Sequence, residues 1–230
     1  MREDIIIMNI LVIGAGYVGL VQGACLAELG HNVGLVDINK ERVAALKKGQ
    51  VPFFEPGLEE LVVGAQESNR LEVFVSQQDA VKEFSIDVIF ICVQTPRLED
   101  GSCNLSAIEF VCKELKERVS SGLVVIKSTI PPGTRASIEG WLGESLRLGS
   151  NPEFLREGSA VNDFFHPDRI VIGVDSQDDE QLLKDVYKKI DAPVFAMSVE
   201  SAQLTKYAAN TMLAMRLSLI NEFAVIADCV

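Results

Sequence analysis

The sequence predicts an α/β protein with a doubly wound, mostly parallel sheet, followed by a long C-terminal helix. Strand-like runs alternate with helix-like stretches along the chain. The runs are apolar throughout, as expected of strands that are covered by helices on both faces. A glycine-rich turn, GAGYVG, directly follows the first run and opens the first helix, which indicates a Rossmann-like arrangement.

The predicted elements divide the chain into a domain of residues 1–198 and a helix of residues 199–230. The strand-like runs cover residues 9–13, 32–37, 71–75, 86–93, 122–128, 169–174 and 192–197. The helix-like stretches cover residues 17–29, 40–48, 57–63, 105–118, 134–142 and 177–190. The final segment is apolar on nearly every side and has no glycine stop, which predicts one long helix.

Composition and charge exclude several classes of function. The chain has 230 residues, is 48% hydrophobic and carries a net charge of −12, so no basic surface for nucleic acid or anionic membrane is expected. No uncharged apolar run reaches the roughly 18 residues of a membrane span. The five cysteines have no zinc-type spacing, and we interpret them as reduced thiols of a cytoplasmic protein without a metal site.

The GAGYVG turn predicts a dinucleotide site. Gly14 would permit the tight turn, Gly16 would let a pyrophosphate approach the backbone, and Gly19 would let helix and strand pack closely. Asp37 ends the second strand, where its carboxylate can accept hydrogen bonds from a ribose diol, which favours NAD over NADP. Arg42 is a counter-signal, since it is able to face a 2′-phosphate, although it is equally placed to lie against the adenine. The alternative is that the glycines serve only a tight turn.

The segment NPEFLREG contains two acidic residues four positions apart. Glu153 and Glu157 would share one face of a helical turn and form a pair of carboxylates. The alternative is a solvated acidic pair beside Arg156.

Two further segments, VQTP and KSTIPPG, place a threonine and a proline just after a predicted strand. Ligands of open α/β sheets bind at the carboxyl ends of the strands, so Thr95 and Thr129 are candidates for a site there. Turn initiation alone would also explain both threonines.

The segment LTKYAAN places Lys206 and Asn210 on one face of the final, largely apolar helix. A lysine in such surroundings needs acceptors that offset its desolvation. We therefore expect Lys206 near Asn210, within reach of Glu153 or Glu157, at the carboxyl edge of the sheet. The alternative is a lysine that extends to the surface.

Together these segments resemble the N-terminal half of the UDP-glucose/GDP-mannose dehydrogenase family. The matching stretches are GAGYVGLVQGACLAELGHNV, FFEPGLEEL, VQTP with DGS and NLS after it, KSTIPPGT, NPEFLREGSAVNDFFHPDRIVIG and LTKYAAN. The stretch that ends in PDRIVIG is more similar to the UDP-glucose members than to the GDP-mannose members. Asn104 stands where an aspartate is usual before LS.

The resemblance implies oxidation of the primary alcohol at C6 of UDP-glucose to the acid, UDP-glucuronate, with two NAD⁺ used in succession. Lys206 and Asn210 would face the reacting oxygens, and Lys206 would stabilise the alkoxide and the later oxyanion. Thr129 would orient water, and Glu157 would be the base of the hydrolytic step. Glu153 would position the substrate and that water.

The resemblance also implies which residues line the two ligands. The cofactor residues would be Gly14, Gly16, Tyr17, Val18, Gly19, Asp37, Arg42, Thr95, Thr129 and Glu157. The substrate residues would be Glu153, Phe154, Leu155, Lys206 and Asn210.

Family members also carry a cysteine nucleophile beyond the long helix, in a segment like GFGGSCFPKD, and a second nucleotide-binding domain. Neither is found in this sequence. Cys103, in DGSCNLS, lies after the VQTP strand and is not equivalent to that nucleophile. We therefore expect an N-terminal part that binds NAD and lacks the nucleophile.

The long helix links the two domains of family members and packs in a dimer, so we expect a homodimer through residues 200–230. Two alternatives remain open from the sequence. One is a single-step β-hydroxyacid dehydrogenase, which also carries lysine and asparagine four apart on a long helix. The other is a non-catalytic NAD-binding module.

Overall fold

The computed structural model describes residues 6–229 and contains one sheet of eight strands in the order β3-β2-β1-β4-β5-β6-β7-β8. The strands are Asn9–Ile13 (β1), Asn32–Val36 (β2), Leu71–Phe74 (β3), Val88–Ile91 (β4), Gly122–Ile126 (β5), Leu146–Ser150 (β6), Ile170–Gly173 (β7) and Val194–Met197 (β8). The helices are Tyr17–Glu28 (α1), Lys40–Leu46 (α2), Leu58–Glu67 (α3), Gln77–Glu83 (α4), Ser106–Arg118 (α5), Arg135–Leu142 (α6), Ala160–Phe165 (α7), Gln177–Val186 (α8) and Val199–Asp228 (α9).

The strand order confirms the predicted fold class. Strands β1 to β6 are parallel to one another, and β1 lies between β2 and β4, where the order of the chain reverses. Ligands of doubly wound sheets bind outside the carboxyl ends of the strands at this switch point. The sheet becomes mixed beyond β6, since β7 runs antiparallel to it through the single pair Ser150 and Gly173, while β7 and β8 are parallel.

Alternation along β1 explains why its last four residues are all apolar. Ile10 and Val12 belong to the core on one face of the sheet, whereas Leu11 and Ile13 belong to the core on the other face. Complete burial of such a side chain stabilises the fold by about 1.5–3 kcal/mol. Because both faces are covered, each of these four residues contributes.

Three elements lie outside the predicted set, namely α4, β6 and α7. The β6 sequence LRLGS has no apolar run, since Arg147 is exposed and pairs with Asp179 on α8 at 2.9 Å. Its place in the sheet is therefore fixed by pairing with β5 rather than by local hydrophobicity. The short helix α4 is capped at its N-terminus by Ser76, whose hydroxyl accepts a hydrogen bond from Asp79 N at 3.1 Å.

The long helix is confirmed over Val199–Asp228. Residues 1–5 of the predicted domain and residue 230 of the predicted helix lie outside the described part of the chain. Its first turns pack against β6 and β7, and they contain the residues that α9 buries, Val199, Ala202, Gln203 and Lys206. The remainder of the helix, from Thr211 onward, is exposed. None of the helices within residues 6–229 has the length and hydrophobicity needed to cross a bilayer.

Candidate active site

The glycine turn between β1 and α1 has no room for larger residues at two positions. Gly14 has φ +102°, and a Cβ there would lie 2.6 Å from the carbonyl oxygen of Cys92. A Cβ at Gly19 would lie 1.7 Å from the Gly14 carbonyl oxygen. At Gly16, by contrast, a Cβ would meet nothing within 4 Å. The turn is therefore closely packed toward the protein and open at Gly16, where a phosphate is able to approach the backbone.

The N-terminus of α1 provides free donors beside this opening. Its N-cap, Gly16, has no side chain, and the first hydrogen bond of the helix runs from Leu20 N to the Gly16 carbonyl at 2.9 Å. The N–H groups of Tyr17, Val18 and Gly19 consequently have no helical acceptor. Together with the helix dipole they form a site for a pyrophosphate anion.

Asp37 lies immediately after β2 and next to this turn. Its Oδ2 accepts hydrogen bonds from Ala15 N at 2.9 Å and from Arg42 Nη1 at 2.8 Å, and its Oδ1 accepts one from Asn39 N at 2.8 Å. The carboxylate is thus held at the end of β2, where a ribose diol of NAD would bind. Arg42 pairs with this carboxylate, which partly neutralises the charge of the Arg42 guanidinium. The glycine turn and Asp37 together fit NAD.

A buried glutamate outside the predicted site residues, Glu55, joins the cofactor turn to the NPEF segment. Glu55 accepts hydrogen bonds from the Tyr17 hydroxyl at 2.6 Å, from Gly158 N at 2.8 Å and from Ala160 N at 2.7 Å. Burial and the neighbouring Glu55 raise the pKa of the Tyr17 phenol above its usual range. The sequence feature that could have identified Glu55 is an acidic residue inside the largely apolar stretch VPFFEPG.

The two candidate threonines lie together at the carboxyl edge of the sheet. Thr95 follows β4, Thr129 follows β5, and the Thr95 hydroxyl donates to the Thr129 carbonyl at 2.8 Å. Both side chains are half-buried. The structure therefore brings them to one location beside the switch point, and their roles in binding remain predictions.

A cleft of about 660 Å³ lies along the segment 151–156 and the first half of α9. Lys206 and Asn210 line it from α9, while Glu153 and Phe154 line it from the loop after β6. The Lys206 ammonium is 2.7 Å from Glu153 Oε1 and 5.4 Å from the centre of the Phe154 ring. The expected position of Lys206, within reach of Glu153, is confirmed.

The prediction that Glu153 and Glu157 share a helical face is wrong. Residues 151–156 are not helical, because Glu153 bends back and accepts a hydrogen bond from Leu155 N at 2.7 Å. Glu157 is exposed in the following turn, outside the cleft lining, on the side that faces Tyr17. The alternative, a solvated acidic pair beside Arg156, also fails, since Glu153 is only 15% exposed and pairs with Lys206, while Arg156 pairs with Asp163 at 2.6 Å.

The floor of the cleft contains a second lysine that the sequence reasoning missed. Lys127 is buried directly after β5 and donates to the side-chain oxygen of Asn151 at 2.9 Å. The sequence feature that could have identified this residue is a lysine directly after the apolar run GLVVI.

The charge of the cleft differs from that of the whole chain. Its lining has five cationic side chains, Lys127, Arg156, Arg169, Lys206 and Arg216, and three acidic ones, Glu153, Asp163 and Asp168. The chain as a whole carries −12. Since the Arg169 guanidinium lies 4.5 Å above the Phe154 ring and has no carboxylate within 4.0 Å among residues 6–229, it is free to meet an anion. The cleft therefore favours an anionic ligand.

One edge of the doubly wound sheet carries a dinucleotide turn and, beside it, a cationic cleft with a lysine–carboxylate pair. These features together define an NAD-binding domain of the dehydrogenase type. Residues 8–191 match the UDP-glucose/GDP-mannose dehydrogenase family, NAD binding domain. The chain belongs to this family, and its cofactor is NAD.

The similarity to known proteins extends over nearly the whole chain. It is 42% identical over 228 residues to the UDP-glucose 6-dehydrogenase YwqF of Bacillus subtilis (strain 168), a match that covers 96% of this chain and 51% of that protein. The UDP-glucose dehydrogenase structure from Pyrobaculum islandicum is 42% identical with a TM-score of 0.88, covering 97% of this chain and 54% of that one. The GDP-mannose dehydrogenase ternary complex from Pseudomonas aeruginosa is 36% identical with a TM-score of 0.87, covering 94% and 52%. The chain spans about half the length of the curated relatives that it matches.

Proposed function

We propose that this chain forms the NAD-binding half of an enzyme that oxidises UDP-glucose at C6 to UDP-glucuronate in two successive hydride transfers. The observation that carries the proposal is the Lys206–Glu153 pair, 2.7 Å apart, in a cationic cleft at the same edge of the sheet as the NAD turn. A nucleotide sugar is anionic, as this cleft requires. The relatives in Bacillus subtilis and Pyrobaculum islandicum, named for UDP-glucose, support the choice of sugar.

In this proposal the polar groups of the cleft manage charge at C6. NAD, when bound, accepts the hydride. The Lys206 ammonium stabilises the negative charge that develops on the C6 oxygen, and Glu153 holds this ammonium in place. Asn210, one turn further along α9, supplies an amide to the same oxygen. Phe154 and Leu155 line the sugar.

The hydrolytic step that follows the second oxidation needs an ordered water and a base. We assign the water to Thr129, at the carboxyl edge of the sheet, and the base to Glu157. Glu157 acts from the cofactor side, where its charge helps to raise the pKa of the Tyr17 phenol.

The second oxidation also needs a nucleophile that holds the aldehyde. Cys103 does not fill this role in the proposal, because it lies in the loop after β4 and its thiol is directed to the Thr95 carbonyl, 3.8 Å away. We assign the nucleophile and a second nucleotide-sugar domain to the half of the relatives that this chain does not span. The complete enzyme would act in the cytoplasm, in nucleotide-sugar metabolism for polysaccharide biosynthesis, as a homodimer joined through α9.

Binding and complementation test the proposal in two stages. NADH should bind the chain with a saturable change in fluorescence, while UDP-glucose alone produces no sustained NADH. Addition of the separately produced C-terminal half of a relative such as YwqF should restore the formation of two NADH per UDP-glucose, and the same mixture with Lys206→Met should lose it.

The other outcomes point to the alternatives. Failure of NADH to bind the folded chain would contradict the proposal. NADH binding without any restored oxidation would favour a non-catalytic NAD-binding module, and oxidation of a small hydroxy acid by the chain alone would favour a β-hydroxyacid dehydrogenase.

A further inference from the structure

Lys127 is a buried cation that lines the cleft. It is 6% exposed, and among residues 6–229 no carboxylate lies within 4.0 Å of its amino group. Its acceptors are the side-chain and main-chain oxygens of Asn151, at 2.9 and 3.5 Å. Buried lysines are normally paired with an acid, because desolvation of an ammonium is costly. The position of Lys127 at the floor of the cleft that contains Glu153 and Lys206 therefore requires an explanation.

Asn151 connects this lysine to three other elements. Its Oδ1 also accepts a hydrogen bond from the Tyr187 hydroxyl at 2.6 Å, and its Nδ2 donates to the Val171 carbonyl at 2.8 Å. Its main-chain N–H donates to the Ile126 carbonyl at 3.0 Å. These bonds span β5, β7 and the end of α8 at the point where the sheet changes from parallel to antiparallel. The loop that presents Glu153 starts from this fixed residue.

We propose that Lys127 is a positioning residue of the site: it fixes Asn151, and thereby the loop with Glu153, and its charge acts on the Lys206–Glu153 pair from the floor of the cleft. The inference rests on the proposed function in taking this pair as the reaction centre. The family resemblance implies no role for Lys127.

The charge of Lys127 changes within an accessible pH range. The pKa of Lys127 is lowered to about 8, chiefly by burial, while the nearby Glu153 acts to raise it and Lys206 to lower it. Burial raises the pKa of the Cys92 thiol to about 12 and also raises the pKa of Tyr187, so both are neutral where Lys127 titrates. Glu153 and Lys206 are consequently the charged groups that act on Lys127 at that pH.

Loss of the proton separates the two roles of Lys127. A neutral amine still has N–H groups, so its hydrogen bond to Asn151 survives while its charge disappears. Electrostatic coupling is reciprocal, so the free energy by which Lys206 and Glu153 shift the Lys127 proton equals that by which Lys127 acts on them. A lysine that held Asn151 but was electrostatically isolated from the pair would show no such coupling.

Lysine side-chain NMR of the labelled chain tests the proposal in the absence of substrate and NAD. The Lys127 resonance should titrate near pH 8. Lys206→Met should raise its midpoint, because a like charge is removed, and Glu153→Gln should lower it, because an opposite charge is removed. Lys113→Met, at an exposed lysine on α5, is the matched control and should leave the midpoint in place. Assignment uses Lys127→Met or, if that variant does not fold, through-bond connection to the backbone of residue 127.

A Lys127 midpoint near the ordinary 10.5, or one that fails to move in either variant, overturns the proposal. The result is separable from the proposed function. If the chain shows both shifts but its mixture with the C-terminal half of YwqF does not oxidise UDP-glucose, the role of Lys127 is supported while the proposed function is contradicted. If the mixture oxidises UDP-glucose but Lys127 is unresponsive, the proposed function is retained and this inference is lost.

Discussion

The Lys206 ammonium and the Glu153 carboxylate lie 2.7 Å apart, with only 9% and 15% of their side chains exposed. Lys206 comes from α9 and Glu153 from the loop after β6. This pair accounts for a lysine in a helix whose neighbours are largely apolar, since each charge satisfies the other where water is mostly excluded. Glu153 Oε2 is also occupied, by Leu155 N at 2.7 Å, so the carboxylate is fixed from both sides.

Replacement of Glu153 by glutamine should therefore destabilise the chain, because it leaves the Lys206 ammonium shielded from water without an anion. We expect a loss of about 1–3 kcal/mol in the free energy of unfolding, measured by urea denaturation at pH 7. The control is Glu109→Gln on α5, whose pair with Lys113 is exposed and should contribute less than about 0.5 kcal/mol. Equal losses in the two variants would show that the Lys206–Glu153 pair does not stabilise the fold.

The parts of the site that the sequence predicted are those fixed by local geometry. Gly14 is required by its positive φ of +102° and Gly19 by its contact with Gly14 within the turn, and Asp37 follows the strand beside it, so spacing alone identifies them. Glu55 and Lys127 were missed because their partners, Gly158 and Asn151, are distant in the sequence and meet them only in the folded sheet.

The helical pairing of Glu153 and Glu157 was wrong for a related reason. Four-residue spacing indicates one face only if the segment is helical, and here the chain between Pro152 and Gly158 is not. Gly158 has φ +86°, a left-handed conformation that interrupts a regular helix. The four-residue spacing is compatible with a helix, but hydrogen bonds from Leu155 N to Glu153 and from Gly158 N to Glu55 hold the backbone in a different conformation.

Asp37→Ala should weaken NADH binding, because it removes the acceptor for the ribose hydroxyls and the support of Ala15 N. We expect a loss of about 1.5–3 kcal/mol in binding free energy, roughly 10- to 150-fold in Kd, from fluorescence titration. Glu41→Ala, an acid in the first turn of α2, is the control for the change in net charge. If the two variants bind NADH as tightly as the wild type, the carboxylate of Asp37 does not contact the ribose.

Glu55→Gln should destabilise the link between α1 and α7. The glutamine amide would bring N–H groups toward Gly158 N and Ala160 N, which now donate to the carboxylate. A loss of about 2–3 kcal/mol in the free energy of unfolding is expected for a buried, charge-assisted acceptor. Glu59→Gln, at an exposed position in the first turn of α3, is the matched control.

The acid sensitivity of the same carboxylate gives a second measurement. Burial alone would raise the pKa of Glu55, but the hydrogen bonds from Tyr17, Gly158 and Ala160 outweigh it and lower the pKa from 4.5. The folded state therefore binds this proton less readily than the unfolded state. The stabilisation by Glu55 is complete above about pH 4.5 and decreases as the pH falls below it. The difference in stability between the wild type and Glu55→Gln should shrink accordingly in acid.

His31 should make stability dependent on pH in a higher range. Burial lowers the pKa of His31 below 6.5, and the neutral ring accepts a hydrogen bond from Met8 N while its other nitrogen meets the Val186 carbonyl at 2.9 Å. The unfolded state binds the proton more readily, so the stabilisation is present above pH 6.5 and is lost as the pH falls below it, by at most about 1.4 kcal/mol per pH unit. Denaturation at pH 7.5 and 5.5 should show a smaller difference between wild type and His31→Gln at the lower pH. The exposed His166→Gln serves as the control, and a difference that does not change with pH would contradict the prediction.

The exposed face of α9 predicts self-association of the chain. Its apolar stripe repeats in steps of four, four and three residues, a spacing that keeps its members on one face of the helix, and consists of Leu204, Ala208, Met212, Met215, Leu219, Phe223 and Ile226. Leu219 and Phe223 are 52% and 57% exposed, and a contiguous apolar surface of this kind favours burial against a second copy. Light scattering should therefore detect a dimer, and the double substitution Leu219→Glu and Phe223→Glu should convert it to a monomer. Phe110→Glu, at an equally exposed aromatic residue on α5, should leave the dimer intact. A wild-type chain that remains monomeric at high concentration, or a dimer that survives the double substitution, would show that this face of α9 does not form the interface.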